Sequence, residues 1–214
     1  MGKSYIWTVF FMKMRILAWL LTVALMAAGL YAGQTLLEQR ALAEKTVRLH
    51  VVANSNSVDD QAQKLRVRDA VLEKVGQLTD NCATAAQARE IIGAHLEEIT
   101  QAAQAVLDAE HSGYQARAAL GVEDFETRYY DTFTLPAGEY PALRVNIGNA
   151  QGHNWWCVVF PSLCTAATSQ EVAEYAQTGG FDADETQLIT GGEEEYELRF
   201  KTLEWLQKLR DWLR

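Results

Sequence analysis

Residues 46–78, TVRLHVVANSNSVDDQAQKLRVRDAVLEKVGQL, decide how the chain folds. Thr46 to Ala53 is short, apolar and rich in β-branched residues, the mark of a buried strand. Asn54-Ser55-Asn56-Ser57 ends it, because short polar side chains compete for the backbone. Ser57 with Asp60 three residues later makes an acidic variant of the capping box, and Asp59 and Asp60 suit the positive end of a helix. A helix is predicted from there to about Leu78, with Ala62, Leu65, Leu72 and Val75 inward and Lys64, Arg66, Arg68 and Glu73 outside the stripe. Asp69 falls at the stripe's edge, either a recognition carboxylate or an ordinary solvated or Arg-paired acid.

Outward from this unit, Thr84 and Gln87 form a second capping box. It opens an amphipathic helix to about Ala109, with Ala88, Ile92, Leu96, Ile99, Ala103 and Val106 on one face. His95 borders that face and reads as a hydrogen-bonded boundary histidine rather than a base. After Gly113 the texture turns strand-like over 115–125, 127–135, 140–147 and 154–160, with Pro136-Ala137-Gly138-Glu139 as a tight turn between the middle pair. The expected class is α+β: a mostly antiparallel sheet, its last four strands a meander, with two helices after the first strand and one at the C-terminus.

Two loops invite functional readings and lose them. Gly148 to Gly152 is glycine-rich, but no helix follows and the lysine of a phosphate loop is missing. In the loop over 178–195, Asp182, Asp184 and Glu193 have calcium-loop spacing, yet Gln187 stands where the sharp turn needs glycine. Residues 198–214 form an amphipathic helix with Leu203, Leu206, Leu209 and Leu213 on one side, packed on the sheet or laid on a membrane or partner.

At the N-terminus, Ile16 to Leu37 is 22 residues without a charge, about 33 Å as a helix against a bilayer core of roughly 30 Å. Lys3, Lys13 and Arg15 precede it, so residues 1–15 stay cytoplasmic and the rest crosses the membrane. The segment 16–37 is a signal peptide or a transmembrane anchor; Ala41-Leu42-Ala43 has the small-x-small form of a cleavage site. Residues 38–45 are read as a linker and 46–214 as the exported domain. Beyond residue 37 stand 16 bases and 28 acids, a net charge of −12, which argues against nucleic acid as a partner.

No catalytic or cofactor signature is present: there is no G-x-S-x-G, H-E-x-x-H or CxxC, and His50, His95, His111 and His153 have no metal-ligand spacing. Cys157 and Cys164 flank Pro161 and can bridge only if the chain reverses there; otherwise they pack as two small hydrophobes. Cys157 beside His153 is the one foothold for an exported hydrolase with a thiol nucleophile. On a strand, however, the two lie about 13 Å apart. The adjacent Trp155 and Trp156 must face opposite sides of a sheet, one filling the core while the other covers the second face or a partner, or both lying beneath helices.

Two motifs carry a family resemblance. The first is LHVVANSNSVDDQAQKLRVRDAV at 49–71, and the second LPAGEYPALRVNIGNAQGHNWWCVVFPSLC at 135–164. Together they closely resemble stage II sporulation protein R of endospore-forming bacteria, over about Thr46 to Cys164. Three positions depart from the pattern: His50 in place of arginine, Asn56 in place of aspartate, and Ser162 in place of a second proline. The resemblance implies a signalling protein rather than an enzyme. Members are made in the forespore and exported to the space between forespore and mother cell. There they activate a membrane-bound aspartic protease that processes pro-sigma-E. Arg68, Asp69, Asn154 and Trp155 are the contact residues expected for such a partner.

Overall fold

A computed structural model describes residues 2–166 and 168–191. Its elements are α1 (Gly2–Glu44), β1 (Val47–Val52), α2 (Val58–Thr79), α3 (Ala85–Ala94), α4 (Leu96–Ala109), β2 (Ala116–Phe125), β3 (Arg128–Tyr129), β4 (Thr134–Leu135), β5 (Gly138–Ile147), β6 (Asn154–Phe160), a 3-10 turn (Leu163–Thr165), α5 (Ser169–Thr178) and α6 (Ala183–Thr190). The class is α+β, as the sequence indicates. The helix expected over 198–214 lies outside the described residues.

All six residues of β1 are buried, because the strand is central in a four-stranded sheet of order β2-β5-β1-β6. β1 pairs parallel with β5 and antiparallel with β6, and β2 pairs antiparallel with β5. The sheet is mostly antiparallel but is not a meander, since β1 separates β5 from β6. Residues 127–135 form a separate two-stranded hairpin, β3–β4, rather than a strand of the main sheet, so 136–139 does not join paired strands.

On one face Leu49, Val51, Leu143, Val145 and Cys157 pack against Val67, Val71, Ile92, Ile99 and Leu107 of the helices. The buried stripe of α2 is Asp60, Gln63, Lys64, Val67, Val71, Val75 and Thr79. It keeps the predicted Val75 but is rotated from the predicted stripe, with Val67 and Val71 fully buried while Leu72 packs only at the border of the core. The expected helix over 84–109 breaks at His95, whose amide bonds Ile91 O and Ile92 O and whose Nδ1 lies 2.8 Å from Ile91 O. The preceding Gly93 is a poor helix former, which favours the interruption there.

The opposite face is covered by the hairpin, α5, α6 and the end of α1, with Leu42, Phe133, Leu135, Val158, Val172 and Leu188 in one cluster. Residues 38–44, read as a linker, continue α1 into this layer, and Lys45 Nζ donates to Glu185 Oε1 at 2.8 Å. The acidic loop holds α6, capped reciprocally by Asp182 and Glu185. The membrane-length part of α1 is exposed and fits a signal or transmembrane segment.

Candidate functional site

The Asn-Ser-Asn-Ser turn is an architectural joint. Ser55 Oγ and Asn54 Nδ2 donate to Asp60 Oδ2 at 2.5 and 2.9 Å, while the Asp60 amide donates to Ser57 Oγ at 3.1 Å. The side-chain bonds, the one from Ser55 foremost, hold the Asp60 carboxyl below the ordinary aspartate range against the opposing effect of burial. Asn54 Oδ1 also accepts from the Asn149 amide at 3.0 Å, and Asn56 Oδ1 from the His153 amide at 2.7 Å. Gly148 sits at φ +56° directly beside the Asn54 side chain, where a Cβ has no room. One motif therefore fixes the loop leading into the other.

Lys64 completes the joint, its Nζ donating to His153 O at 3.0 Å and to Gln61 Oε1 at 2.7 Å. Burial first, and the nearby Arg68 charge second, lower its pKa. α2 is thus tied to the start of β6, and this brings Arg68 to Trp155. The Arg68 guanidinium carbon stands 4.3 Å from the Trp155 ring centre, and Nε donates to Asp69 Oδ1 at 2.8 Å.

Arg68, Asp69 and Trp155 line one groove of about 560 Å³, with Leu72, the hairpin residues Tyr129 to Phe133, Trp156 and the 3-10 turn as its other walls. Asn154 is exposed but belongs to an adjoining depression of about 320 Å³, shared through Trp156 with Phe125, Glu126 and Arg128. Trp156, on the far side of the strand from Trp155, stacks on His50 with centroids 3.7 Å apart and meets the Phe125 ring edge-on.

The hairpin wall was not legible as a site in the sequence, because its residues looked like one more strand. Its anchor is Arg48, fully buried in β1. Arg48 Nη2 donates to Tyr130 Oη at 2.8 Å, and its guanidinium lies 4.0 Å from the Phe125 ring centre. Arginine on a central strand was the available signal, since such a charge needs special surroundings. Nearby Tyr140 is pushed up to about 12 by burial, and its hydroxyl donates to Pro136 O.

Cys157 and Cys164 are joined in a disulfide, with their Cα atoms 6.0 Å apart across the reversal at Pro161. Cys157 is buried as well, so the hydrolase alternative has no free thiol at this position. Among the described residues no group of three or more His, Cys, Asp or Glu side chains is placed to hold a metal ion.

Fold and site together define a small α+β domain with an aromatic groove, carried behind an apolar N-terminal helix. The chain belongs to the stage II sporulation protein R family, whose model matches residues 43–170. Stage II sporulation protein R of Bacillus subtilis (strain 168) is 35% identical over 121 residues, covering 56% of this chain and 54% of that protein. The match thus spans about half the length of that relative. No solved structure matches the chain.

Proposed function

We propose that this protein is an exported signal of sporulation, acting between forespore and mother cell. Its domain binds the extracytoplasmic or membrane part of a membrane-bound aspartic protease and favours the active state, which leads to pro-sigma-E processing in the mother cell. A ligand shifts such an equilibrium only by its differential affinity for the two states. The observation that carries the reading is the groove joining Arg68 and Asp69 of one family motif to Trp155 of the other, inside the region the family model matches. The apolar α1 with its preceding basic residues supports export.

The test is deletion in the native spore former, followed by assay of precursor cleavage in the mother cell. Loss of cleavage, restored by the intact chain, is expected; normal cleavage after deletion overturns the proposal.

A further inference from the structure

α1 passes from its exposed apolar stretch into the centre of the fold without a flexible link. It is one helix from Gly2 to Glu44, and Val47, the first residue of the buried central strand, follows after only Lys45 and Thr46. Both of these are held: Lys45 Nζ donates to Glu185 Oε2 at 2.6 Å, and Thr46 Oγ1 to Leu42 O at 2.8 Å. Thr35, Gln39, Leu42 and Ala43 are buried, which is the i, i+4, i+7, i+8 face of a helix. Gln39 lies directly over Gly138 and leaves no room there for a Cβ. The last turns of α1 are therefore part of the domain, which begins to pack on the helix near Ala32 and Gly33.

Lengths then place the domain relative to a bilayer. Of the charge-free run, only residues 16–31 precede the packed turns. They make about 24 Å of helix against a core of roughly 30 Å, a shortfall of about 6 Å. Leu36 and Leu37 continue the apolar surface on the flank of α1 that the domain leaves open, 40% and 66% exposed, while the adjacent Thr35 is 2% exposed. Lipid and domain thus meet at the same turns of the helix, and the domain rests at the bilayer surface.

The strands give the direction. Gln39 meets Gly138 at the start of β5, and Ala43, one turn further from the membrane, shares a cluster with Tyr140 and Ala142. β5 therefore runs away from the membrane. So does its parallel neighbour β1, whose Arg48 to Val52 pair with Ala142 to Asn146. Asn154 pairs with Val52 at the far end of β1, and Trp155 with Val51. Since β5 is about 30 Å long, the joint of 54–57 with 148–153, and Trp155 with the Arg68 beside it, stand on the side of the domain turned from the bilayer.

We propose that a lipid bilayer covers α1 as far as Leu37 and holds the domain at its outer face in one polarity, with the Gly138 end against the headgroups and the Arg68–Trp155 end of the groove outward. The groove is thereby offered to a partner standing opposite the membrane, not to one embedded beside α1. The inference rests on the proposed function for the partner's being a protease, and adds that its extracytoplasmic part is the part met.

The test reconstitutes the full chain in vesicles of phosphatidylethanolamine and phosphatidylglycerol. Cys82→Ala is combined with one added cysteine, Leu37→Cys, Glu139→Cys or Gln151→Cys, each at an exposed position and carrying a fluorophore. Lipids with nitroxide-bearing headgroups should quench the label strongly at 37, less at 139 and not at 151. A Gly-Ser-Gly-Ser-Gly-Ser insertion between Tyr31 and Ala32 leaves the packed turns intact and should abolish the quenching at 37 and 139. Quenching at 151 equal to or above that at 139 overturns the orientation. Chains that leave the vesicles overturn the anchor, as do contacts between copies that shield Leu20→Cys from acyl-chain nitroxides.

In sporulating cells, a photo-crosslinking residue at Asn154 should capture an extracytoplasmic segment of the protease. Capture of a membrane-embedded segment, or capture from Glu139 instead, overturns outward presentation. The vesicle measurement needs no protease, so it stands by itself if deletion of the chain leaves precursor cleavage normal and the functional reading fails. A wrong orientation, conversely, leaves deletion harmful while the label at 151 is quenched.

Discussion

The guanidinium of Arg68 lies 4.3 Å from the centre of the Trp155 ring, joining the middle of α2 to the first turn of residues in β6. The same guanidinium is held by Asp69, whose side chain is 61% exposed. Exposed ion pairs and cation–π contacts contribute on the order of 1 kcal/mol or less each. Arg68 itself is 20% exposed, and as a contact residue of the proposed function it should matter more to activity than to stability.

Arg68→Ala should lower the unfolding free energy by only about 1 kcal/mol, yet strongly reduce precursor cleavage in sporulating cells. Arg68→Lys keeps the charge but loses the planar stack, and should fall between the two. Denaturant titration of the purified protein alongside cleavage in vivo checks both. A cleavage loss that merely follows the stability loss would remove Arg68 from the contact surface.

Asp60 gives the domain an acid limit. Its carboxyl titrates below the ordinary value because Ser55, then Asn54 and Ser57, bond the charged form. A depressed folded pKa contributes stability that is complete above the unfolded value, about 3.9, and disappears as pH falls through the folded one. Asp60→Asn should be less stable than wild type at pH 7, and the difference should shrink as pH falls below about 4. Urea midpoints measured across that range test the sign; a difference that grows on acidification would contradict it.

The disulfide closes a short loop, sequence separation 7. Chain entropy alone predicts a loss of roughly 2 to 3 kcal/mol on its removal. The double variant Cys157→Ser, Cys164→Ser should show that loss, with cleavage falling only in proportion to protein level. Without reduction, thiol labelling of the native protein should be confined to Cys82, and slowly there, since burial raises that thiol's pKa. Abolished cleavage at normal protein level would restore the thiol-nucleophile reading.

The central strand, the Ser57 cap and the change to strand texture after Gly113 were legible because each depends on local pattern. The order β2-β5-β1-β6 was not, since the parallel pairing of β1 with β5 joins residues about ninety positions apart. Local pattern also mistook the hairpin for a sheet strand: Tyr130 and Phe133 stack on each other at the turn end of a two-residue ladder, and their aromatic content resembles that of a longer strand. The two motifs named Arg68, Asp69 and Trp155 without showing that a groove joins them. Their proximity follows from Lys64 and Asn56 binding the residue before β6, contacts that only the fold brings about.

Arg48 offers a sharper test of the groove wall. It is wholly buried, and among the described residues its Nε and Nη1 have no hydrogen-bond partner, while Nη2 holds Tyr130. Replacing a poorly compensated buried charge by an apolar side chain of similar length is commonly neutral or stabilising by up to a few kcal/mol. Arg48→Met should therefore keep or raise the denaturation midpoint while releasing the Tyr130 hydroxyl, and cleavage should fall with stability intact. Arg48→Ala, which also leaves a cavity, should be destabilised. Unchanged cleavage by R48M would show that the Tyr130 wall needs no anchor.

The last expectation concerns the N-terminal helix. Ala41-Leu42-Ala43, the small-x-small sequence, lies inside α1 rather than in an exposed loop, and Leu42 and Ala43 are buried. Proteolysis concentrates at exposed, poorly ordered backbone, so the folded domain shields this bond. Cleavage after Ala43 would also remove Leu42 from the cluster it shares with Leu135, Val158 and Leu188. Truncating a leucine in such a site costs about 2 to 5 kcal/mol. The protein isolated from sporulating cells should accordingly retain residues 1–43 and fractionate with membranes. Leu42→Ala should lower the stability of the domain by that amount. Terminal sequencing and mass measurement decide it: a soluble chain beginning at Glu44, folded and active, would show that the end of α1 is dispensable to the core.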